Sequence, residues 1–377
     1  MATVDEAVNR GRGLTLEQIV LILAIFAALV LAVDLVHGIV TGRYSISRIG
    51  RYAWQGLMYG LIIGLAGIGL SMTYSILNFA NFAHGDYIST GAFLGWGVTY
   101  IIAGRVLVLG DEVSFGHLAL VAPQRGVGGA EIGISIWSTP LAILIGLVFT
   151  GAATAALVLL IDRYVYKPMR GSGGIPLLIA SIGVAFALRY LLVFVYSSRT
   201  RGTTSTFGLP EFNFLLVDGT VNVDMHDATL LVAAGGLMIG VHLLLQKTKL
   251  GKAMRAMSDN KDLAQVTGIP TERVIRWTWI IGGGLAGVAG YLMVLWTGTI
   301  NYQFGWLLLL LIFSAVILGG IGSVYGAIVG GIVIGLAMRL SLIWLPGGDF
   351  TTITAFLIMI VVLLIKPSGL FGGKTTA

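Results

Sequence analysis

Runs of about 20 apolar residues recur along this chain from end to end, each closed by a cluster of polar or charged residues. At 1.5 Å of helical rise per residue such a run covers the roughly 30 Å of bilayer hydrocarbon, so each predicts a membrane-crossing helix. The pattern places spans at Leu16–Val40, Trp54–Leu77, Asp86–Gly104, Trp137–Ile161, Ile175–Ser197, Ala228–Gln246, Val274–Gly298, Phe304–Gly319, Val324–Leu345 and Thr351–Ile365. The expected fold is all-α, a polytopic transmembrane helical bundle of about ten spans, with residues 1–377 forming one domain. Arg10 and Arg12 precede the first run as they would in a signal peptide. No small-x-small cleavage site follows, so Leu16–Val40 reads as an anchor.

Two polar interruptions stand out. The shorter is Asn78-Phe-Ala-Asn81-Phe-Ala-His84-Gly85-Asp86, which sets two amides, an imidazole and a carboxylate between two apolar runs. Polar groups at membrane depth are costly unless they face a cavity, a partner or the bundle interior. The repeated Asn-Phe-Ala suits a broken or re-entrant segment near 78–86 that lines a path better than it suits an interfacial turn. A proton relay from His84 to Asp86 is a further use of the same residues.

The longer interruption, Lys247–Arg276, carries seven Lys/Arg and three acids. Leu250, Met254, Met257, Leu263 and Val266 recur through it at three- and four-residue steps, which predicts two short helices broken around Ser258–Lys261 with Asp259 capping the second. An amphipathic helix lying on the membrane surface, with Lys252, Arg255 and Lys261 facing phosphate headgroups, and a docking element for a soluble partner both fit that pattern.

Composition sharpens the class. Of 377 residues 56% are hydrophobic and 11% charged, against roughly 25% charged in a soluble domain. The net charge of +6 does not call for nucleic acid, because the basic residues flank spans. With the N-terminus in the cytoplasm, fourteen Lys/Arg fall inside and seven outside, and only Arg189 and Arg339 lie within spans. Arg43, Arg48 and Arg51 are the conflict, landing outside with no acid between Thr41 and Ala53. The loops Arg105–Ser135 and Ser198–Asp227 also fall outside.

Seven Trp (54, 137, 277, 279, 296, 306 and 344) lie near expected span ends, as interfacial anchors do. Among the 54 Gly, the pairs Gly60/Gly64, Gly91/Gly95, Gly283/Gly287 and Gly331/Gly335 and the series Gly322/Gly326/Gly330 predict close helix–helix approach. A short internal echo links Gly64-Leu-Ala-Gly67 to Gly284-Leu-Ala-Gly287, as related halves would.

Enzymatic motifs are missing. Zero Cys excludes thiolate metal sites and cysteine nucleophiles, and no HExxH or GxSxG occurs. Gly372-Gly-Lys-Thr375 fails as a phosphate-binding loop because Ser368 stands where its first Gly must be. No catalytic residue, metal site or cofactor is expected.

Within the long loop, Asp262-Leu-Ala264-x-x-x-Gly268 followed by Ile269-Pro270 resembles the EAA-x3-G coupling-helix signature of ABC importer permeases, with Asp for Glu and Leu for the first Ala. Three further stretches add to it: Asn81-Phe-Ala-His-Gly-Asp86, Thr267-Gly-Ile-Pro-Thr-Glu-Arg-Val274 running into Gly282–Gly290, and Gly319-Gly-Ile-Gly-Ser-Val-Tyr-Gly-Ala327. Together they resemble the LivH-like permease subunit of LIV-type branched-chain amino-acid ABC importers over roughly Trp54–Lys366, with Asp86 where that family more often has Glu.

The resemblance implies a multi-pass permease of the cell (inner) membrane that forms half of a translocation pathway for branched-chain or related amino acids. ATP would be hydrolysed in a separate subunit. The implied partners are a homologous permease subunit, two cytoplasmic ATP-binding subunits, an extracytoplasmic substrate-binding protein and the lipid bilayer. Residues 16–40 would be an extra N-terminal span, 54–366 the permease core and 247–276 the cytoplasmic coupling loop. Asn78, Asn81, His84 and Asp86 would serve the substrate pathway, by bonding a zwitterionic solute or by holding the broken helix. Arg255, Asp262, Ala264 and Gly268 would serve ATPase coupling, with Gly268 allowing a tight turn or close approach. A urea or amide importer permease, an ion-coupled secondary carrier and a membrane scaffold are the competing readings.

Overall fold

The computed structural model describes residues 16–107, 132–206, 208–345 and 347–372. Its helices are α1 (Leu16–Val40), α2 (Ile46–Leu77), α3 (His84–Leu107), α4 (Pro140–Ile161), α5 (Gly174–Tyr196), α6 (Met225–Lys247), α7 (Lys249–Asp259), α8 (Lys261–Val266), α9 (Thr271–Thr297), α10 (Phe304–Gly319), α11 (Val324–Leu340) and α12 (Asp349–Ile365). A π-turn, Asp162–Tyr166, continues α4. Seven helical stretches are long and apolar enough to cross a membrane, and Phe304–Gly319 and Phe350–Ile365 are shorter apolar helices. The chain is thus an all-α polytopic membrane bundle, with two small additions that apolar periodicity did not predict. One is a hairpin of β2 (Glu211–Leu216) and β3 (Gly219–Asp224), and the other pairs β1 (Arg201–Gly202) with β4 (Thr299–Ile300). Most of Arg105–Ser135, the segment 373–375 and the first residues lie outside the described residues.

Two helices form the centre. The most apolar stretch of α2 is 89% buried and that of α9 78%, whereas that of α1 is 6% buried and rests on the rest of the bundle through α12. The central helices can be enclosed because their packing faces are glycine. Along the α2–α11 seam a Cβ on Gly335 would lie 2.4 Å from the Gly56 carbonyl oxygen and 2.5 Å from the Gly60 nitrogen. Backbone meets backbone there, the arrangement that drives association where lipid offers no hydrophobic gain. Gly335→Ala is therefore expected to lower stability by about 1–3 kcal/mol through overpacking. Gly236→Ala in α6, where nothing lies within 4 Å of the added Cβ, is the control. A thermal melt of the detergent-solubilised protein reads both, and equal midpoints would refute the tight seam.

The short sequence echo extends through the structure at the same spacing of 220 residues. Asn78 and Gly298 end α2 and α9 as left-handed C-caps, with φ of 54° and 69°, and their amides bond the carbonyls of Tyr74 and Val294. Asn81 and Asn301 each accept from the amide two residues on, Ala83 at 3.1 Å and Gln303 at 3.0 Å. Gly85 and Gly305 then meet each other: a Cβ on Gly305 would lie 2.1 Å from the Gly85 carbonyl oxygen, and one on Gly85 would lie 2.7 Å from that of Gly305. Because α2 and α9 run in opposite directions, the two units, helix–break–helix, are inverted repeats in contact at their breaks.

Helix α2 begins eight residues before the expected Trp54. Ser45 is its N-cap, and the carboxylate of Asp218, at the hairpin tip, accepts from the amides of Ile46 at 2.6 Å and Ser47 at 2.8 Å. A carboxylate at a helix N-terminus satisfies donors that have no partner within the helix. The Ser47 amide, with that of Ile46, holds the Asp218 carboxyl below its ordinary range. Of the three arginines in the outside-charge conflict, Arg43 pairs with Asp34, and Asp218 lies over the amides of Ile46 and Ser47.

The tryptophans need a correction. Trp137 and Trp277 are exposed as anchors should be, but Trp279 is 1% exposed and stacks on Tyr166 at 5.3 Å. Trp54 and Trp296 both donate to Asp227 at 2.9 Å, and Trp344 donates to Asp34. A position near a span end does not tell the lipid face of a helix from its packed face.

Candidate functional site

The break after α2 is re-entrant. His84, the first residue of α3, places Nε2 2.9 Å from the Ala66 carbonyl oxygen, eleven residues before the end of α2. At 1.5 Å per residue that is a retreat of about 17 Å along α2, so α3 starts deep inside the bundle. The Asn-Phe-Ala repeat makes this retreat possible. Phe79 and Ala83 are buried among apolar neighbours, and Phe79 lies 5.5 Å from the Tyr166 ring.

Three of the four polar residues expected here are sealed inside. Asn81 and Asp86 are 0% exposed and His84 1%, while Asn78, the C-cap of α2, is exposed. Asn81 Oδ1 accepts from the Ala83 amide and, at 3.4 Å, from the Tyr166 hydroxyl, which is 2.9 Å from that of Tyr87. Asn81 Nδ2 has no partner. Asp86 takes a two-point ion pair from Arg189 of α5, Nε at 3.0 Å and Nη2 at 2.8 Å, and the guanidinium lies 4.4 Å over the Trp306 ring. His84 and Asp86 thus bond different partners. Arg189 and Tyr166 were not singled out in the sequence; Arg189 had a signal, as one of two basic residues within spans.

The long polar segment forms the two helices α7 and α8, anchored to the bundle. Met254 and Met257 of α7 are buried, and Gly251 packs so closely that a Cβ would lie 2.3 Å from the Leu245 carbonyl oxygen. Arg255 donates to Gln246 Oε1 at 3.1 Å, and Gln246 Nε2 donates to the Tyr325 hydroxyl at 3.1 Å, reaching the first turn of α11. Asn260, not Asp259, caps α8: its Oδ1 accepts from the Leu263 amide at 2.9 Å, and Asp259 is the last residue of α7. Asn260 has the extended backbone that a cap requires.

The end of α8 explains Gly268. The Ile269 amide bonds the Ala264 carbonyl at 3.0 Å and the Gly268 amide that of Gln265 at 3.1 Å, a Schellman closure. Its left-handed residue is Gly268, at φ 87°, with Pro270 behind it. A Cβ there would meet nothing within 4 Å, so Gly268 serves the tight turn and not a close approach. Ala264 faces inward at 3% exposure. Asp262 faces out, and between it and the turn Leu263 is 62% and Val266 85% exposed. The extended Asn260 resets the helical phase at the expected break, so Leu263 and Val266 turn outward while Met254 and Met257 of α7 turn in.

An ionic cluster ties this end of the bundle together. Arg170 donates to both Asp162 oxygens at 2.6 Å and to Glu272 Oε1 at 2.8 Å, and Lys167 reaches Glu272 Oε2 at 3.2 Å. Glu272 begins α9 just beyond α8, and Asp162 opens the π-turn that ends in Tyr166 beside Asn81. Bonded side chains thus join the start of α9 to Asp162, and the backbone of the π-turn leads from Asp162 to Tyr166 and Asn81.

Comparisons with known proteins find relatives over most of the chain. The family described as the permease component of branched-chain amino acid transport systems matches residues 52–365, close to the expected Trp54–Lys366. The high-affinity branched-chain amino acid transport permease LivH of Escherichia coli K12 is 29% identical over 85% of this chain and 94% of its own length. BraD of Pseudomonas aeruginosa is 28% identical over 84% and 94%. A probable LivH of Methanocaldococcus jannaschii is 30% identical over 84% and 90%.

Proposed function

The chain belongs to the family of permease components of branched-chain amino acid transport systems, and on that premise we propose that it is one half of an ABC importer's translocation pathway. A homologous permease subunit completes the pore, two cytoplasmic ATP-binding subunits drive it, and an external binding protein delivers a branched-chain or related amino acid. The observation that carries this reading is Leu263 and Val266, exposed on a short helix whose other face is pinned to the bundle. Exposed apolar side chains on a rigid polar mount mark a protein contact. A surface helix lying on lipid would keep its apolar residues on one face, whereas α7 turns its own into the bundle.

Each expected residue takes a role in this mechanism. Asp262, Leu263 and Val266 meet the ATP-binding subunit, Gly268 fixes their angle through the Schellman turn, Ala264 packs α8 to the bundle, and Arg255 passes displacement to α6 and α11. Glu272 and Arg170 carry the same displacement toward Tyr166 and Asn81. Asn81, His84 and Asp86 hold the re-entrant break as a preformed hinge, and Asn78 ends α2 with the left-handed residue from which the retreat starts.

Co-expression with its ATP-binding subunits, its sister permease and its binding protein tests the reading. A complex should co-purify in detergent and, in proteoliposomes, take up leucine only with ATP on the ATPase side. Uptake by this chain alone, driven by an ion gradient without ATP, would establish a secondary carrier instead.

A further inference from the structure

The two inverted repeats differ at their breaks. In the first, Asn81 is sealed at 0% exposure. In the second, its counterpart Asn301 lines a cavity of about 460 Å³ between α9, α10, α11 and α12, beside Trp296, which donates to Asp227 just after the β2–β3 hairpin. That volume lies within the roughly 300–1,000 Å³ of small-molecule sites. Phe304, Leu311 and Met338 give the cavity apolar walls, and Thr352 lies at its rim.

Arg339 is the group this cavity leaves unexplained. It is one of two basic residues within spans, and the other, Arg189, is fully paired with Asp86. Among the described residues Arg339 has no carboxylate and no hydrogen-bond acceptor. Its guanidinium faces two rings, Tyr59 at 5.5 Å and Trp296 at 5.6 Å, and lines the cavity. Aromatic faces hold a guanidinium in place without using up its N–H donors. Arg339 lies in the last turn of α11, where its free donors face the apolar walls of the cavity and suit a carboxylate. Asn301 adds a side-chain amide whose Oδ1 accepts from the Gln303 amide while Nδ2 bonds nothing among the described residues.

We propose that this cavity is the outward-facing solute subsite, with Arg339 and Asn301 Nδ2 binding the α-carboxylate of an aliphatic amino acid and the α10 and α11 walls taking its side chain. The proposal rests on the import reading and adds the residues of recognition. Arg339 offers two parallel N–H groups to a carboxylate, which a lysine would not.

The absence of Cys makes a direct test available. In the assembled complex, Thr352→Cys introduces the one thiol of this chain at the cavity rim, and leucine should slow the maleimide labelling of this chain, read on the separated subunit, at least fivefold. Leucinol, which keeps the side chain and lacks the carboxylate, should not slow it. Arg339→Gln in that background should remove the protection and raise the leucine KM for uptake tenfold or more, with Arg339→Lys between the two. Equal protection by leucine and leucinol, or an unchanged KM in Arg339→Gln, overturns the proposal. Should Arg339→Gln fail to insert, the leucine–leucinol comparison on Thr352→Cys alone decides. Failure of the unmodified complex to import leucine is a separate result and strikes the import reading instead.

Discussion

Leu263→Asp combined with Val266→Asp is expected to abolish solute-stimulated ATP hydrolysis in the reconstituted complex, by at least tenfold, while the permease inserts and melts as before. The two side chains are 62% and 85% exposed, so their replacement disturbs little within the chain itself, and substitutions at such sites usually stay within about 0.5 kcal/mol. In a complex the same positions would force two carboxylates into an apolar contact, and each 1.4 kcal/mol lost there is a factor of ten in affinity. Gly268→Trp should reach the same end by another route. At φ 87° any side chain is strained, so the Schellman closure opens and α8 loses its angle while its apolar knobs remain. Full stimulation in both variants would remove α8 from the coupling interface. Loss in the first alone would leave α8 docking without the turn.

The sequence exposed much of this element and little of the buried break. Helix periodicity and the Asp262/Ala264/Gly268 spacing located α7, α8 and their turn, because capping and turn chemistry are local. The cap itself was misassigned by one residue, Asp259 for Asn260, since either side chain can accept an amide and only the backbone decides which does. The outward turn of Leu263 and Val266 was hidden for a different reason. The three- and four-residue steps carry no phase across the break, where the extended Asn260 resets it. For the break, the residue types were legible and their partners were not. Asp86 pairs with Arg189 across 103 residues, and Asn81 meets Tyr166 across 85. The second break was harder still: the echo Gly64–Gly67/Gly284–Gly287 pointed to it, but Asn301 lies in a stretch whose other side chains share little with Asn81–Asp86. Backbone geometry, the left-handed caps Asn78 and Gly298 and the touching Gly85 and Gly305, is what the repeats have in common.

Asp86→Asn is expected to destabilise the folded chain by about 3–5 kcal/mol, the usual result of removing one partner from a buried ion pair. Asp86 is 0% exposed and Arg189 is held between it and the Trp306 ring, so the single change leaves a guanidinium in the bundle with no counter-charge. The folded fraction in detergent, read by gel filtration and a thermal melt, should fall sharply. Asp86→Leu with Arg189→Met should recover most of it, because well-packed apolar residues replace a buried pair at little net cost and often with a gain. The double variant also separates the two roles that residues 81–86 can have. If the pair only fastens the start of α3 to α5, the recovered protein transports with a near-normal KM. If Asp86 receives the solute's ammonium during passage, the double variant folds, docks its ATP-binding subunits and imports nothing. The sealed geometry of Asp86, with both oxygens on one guanidinium, favours the first outcome, and solute recognition then falls to the open break at Asn301 and Arg339.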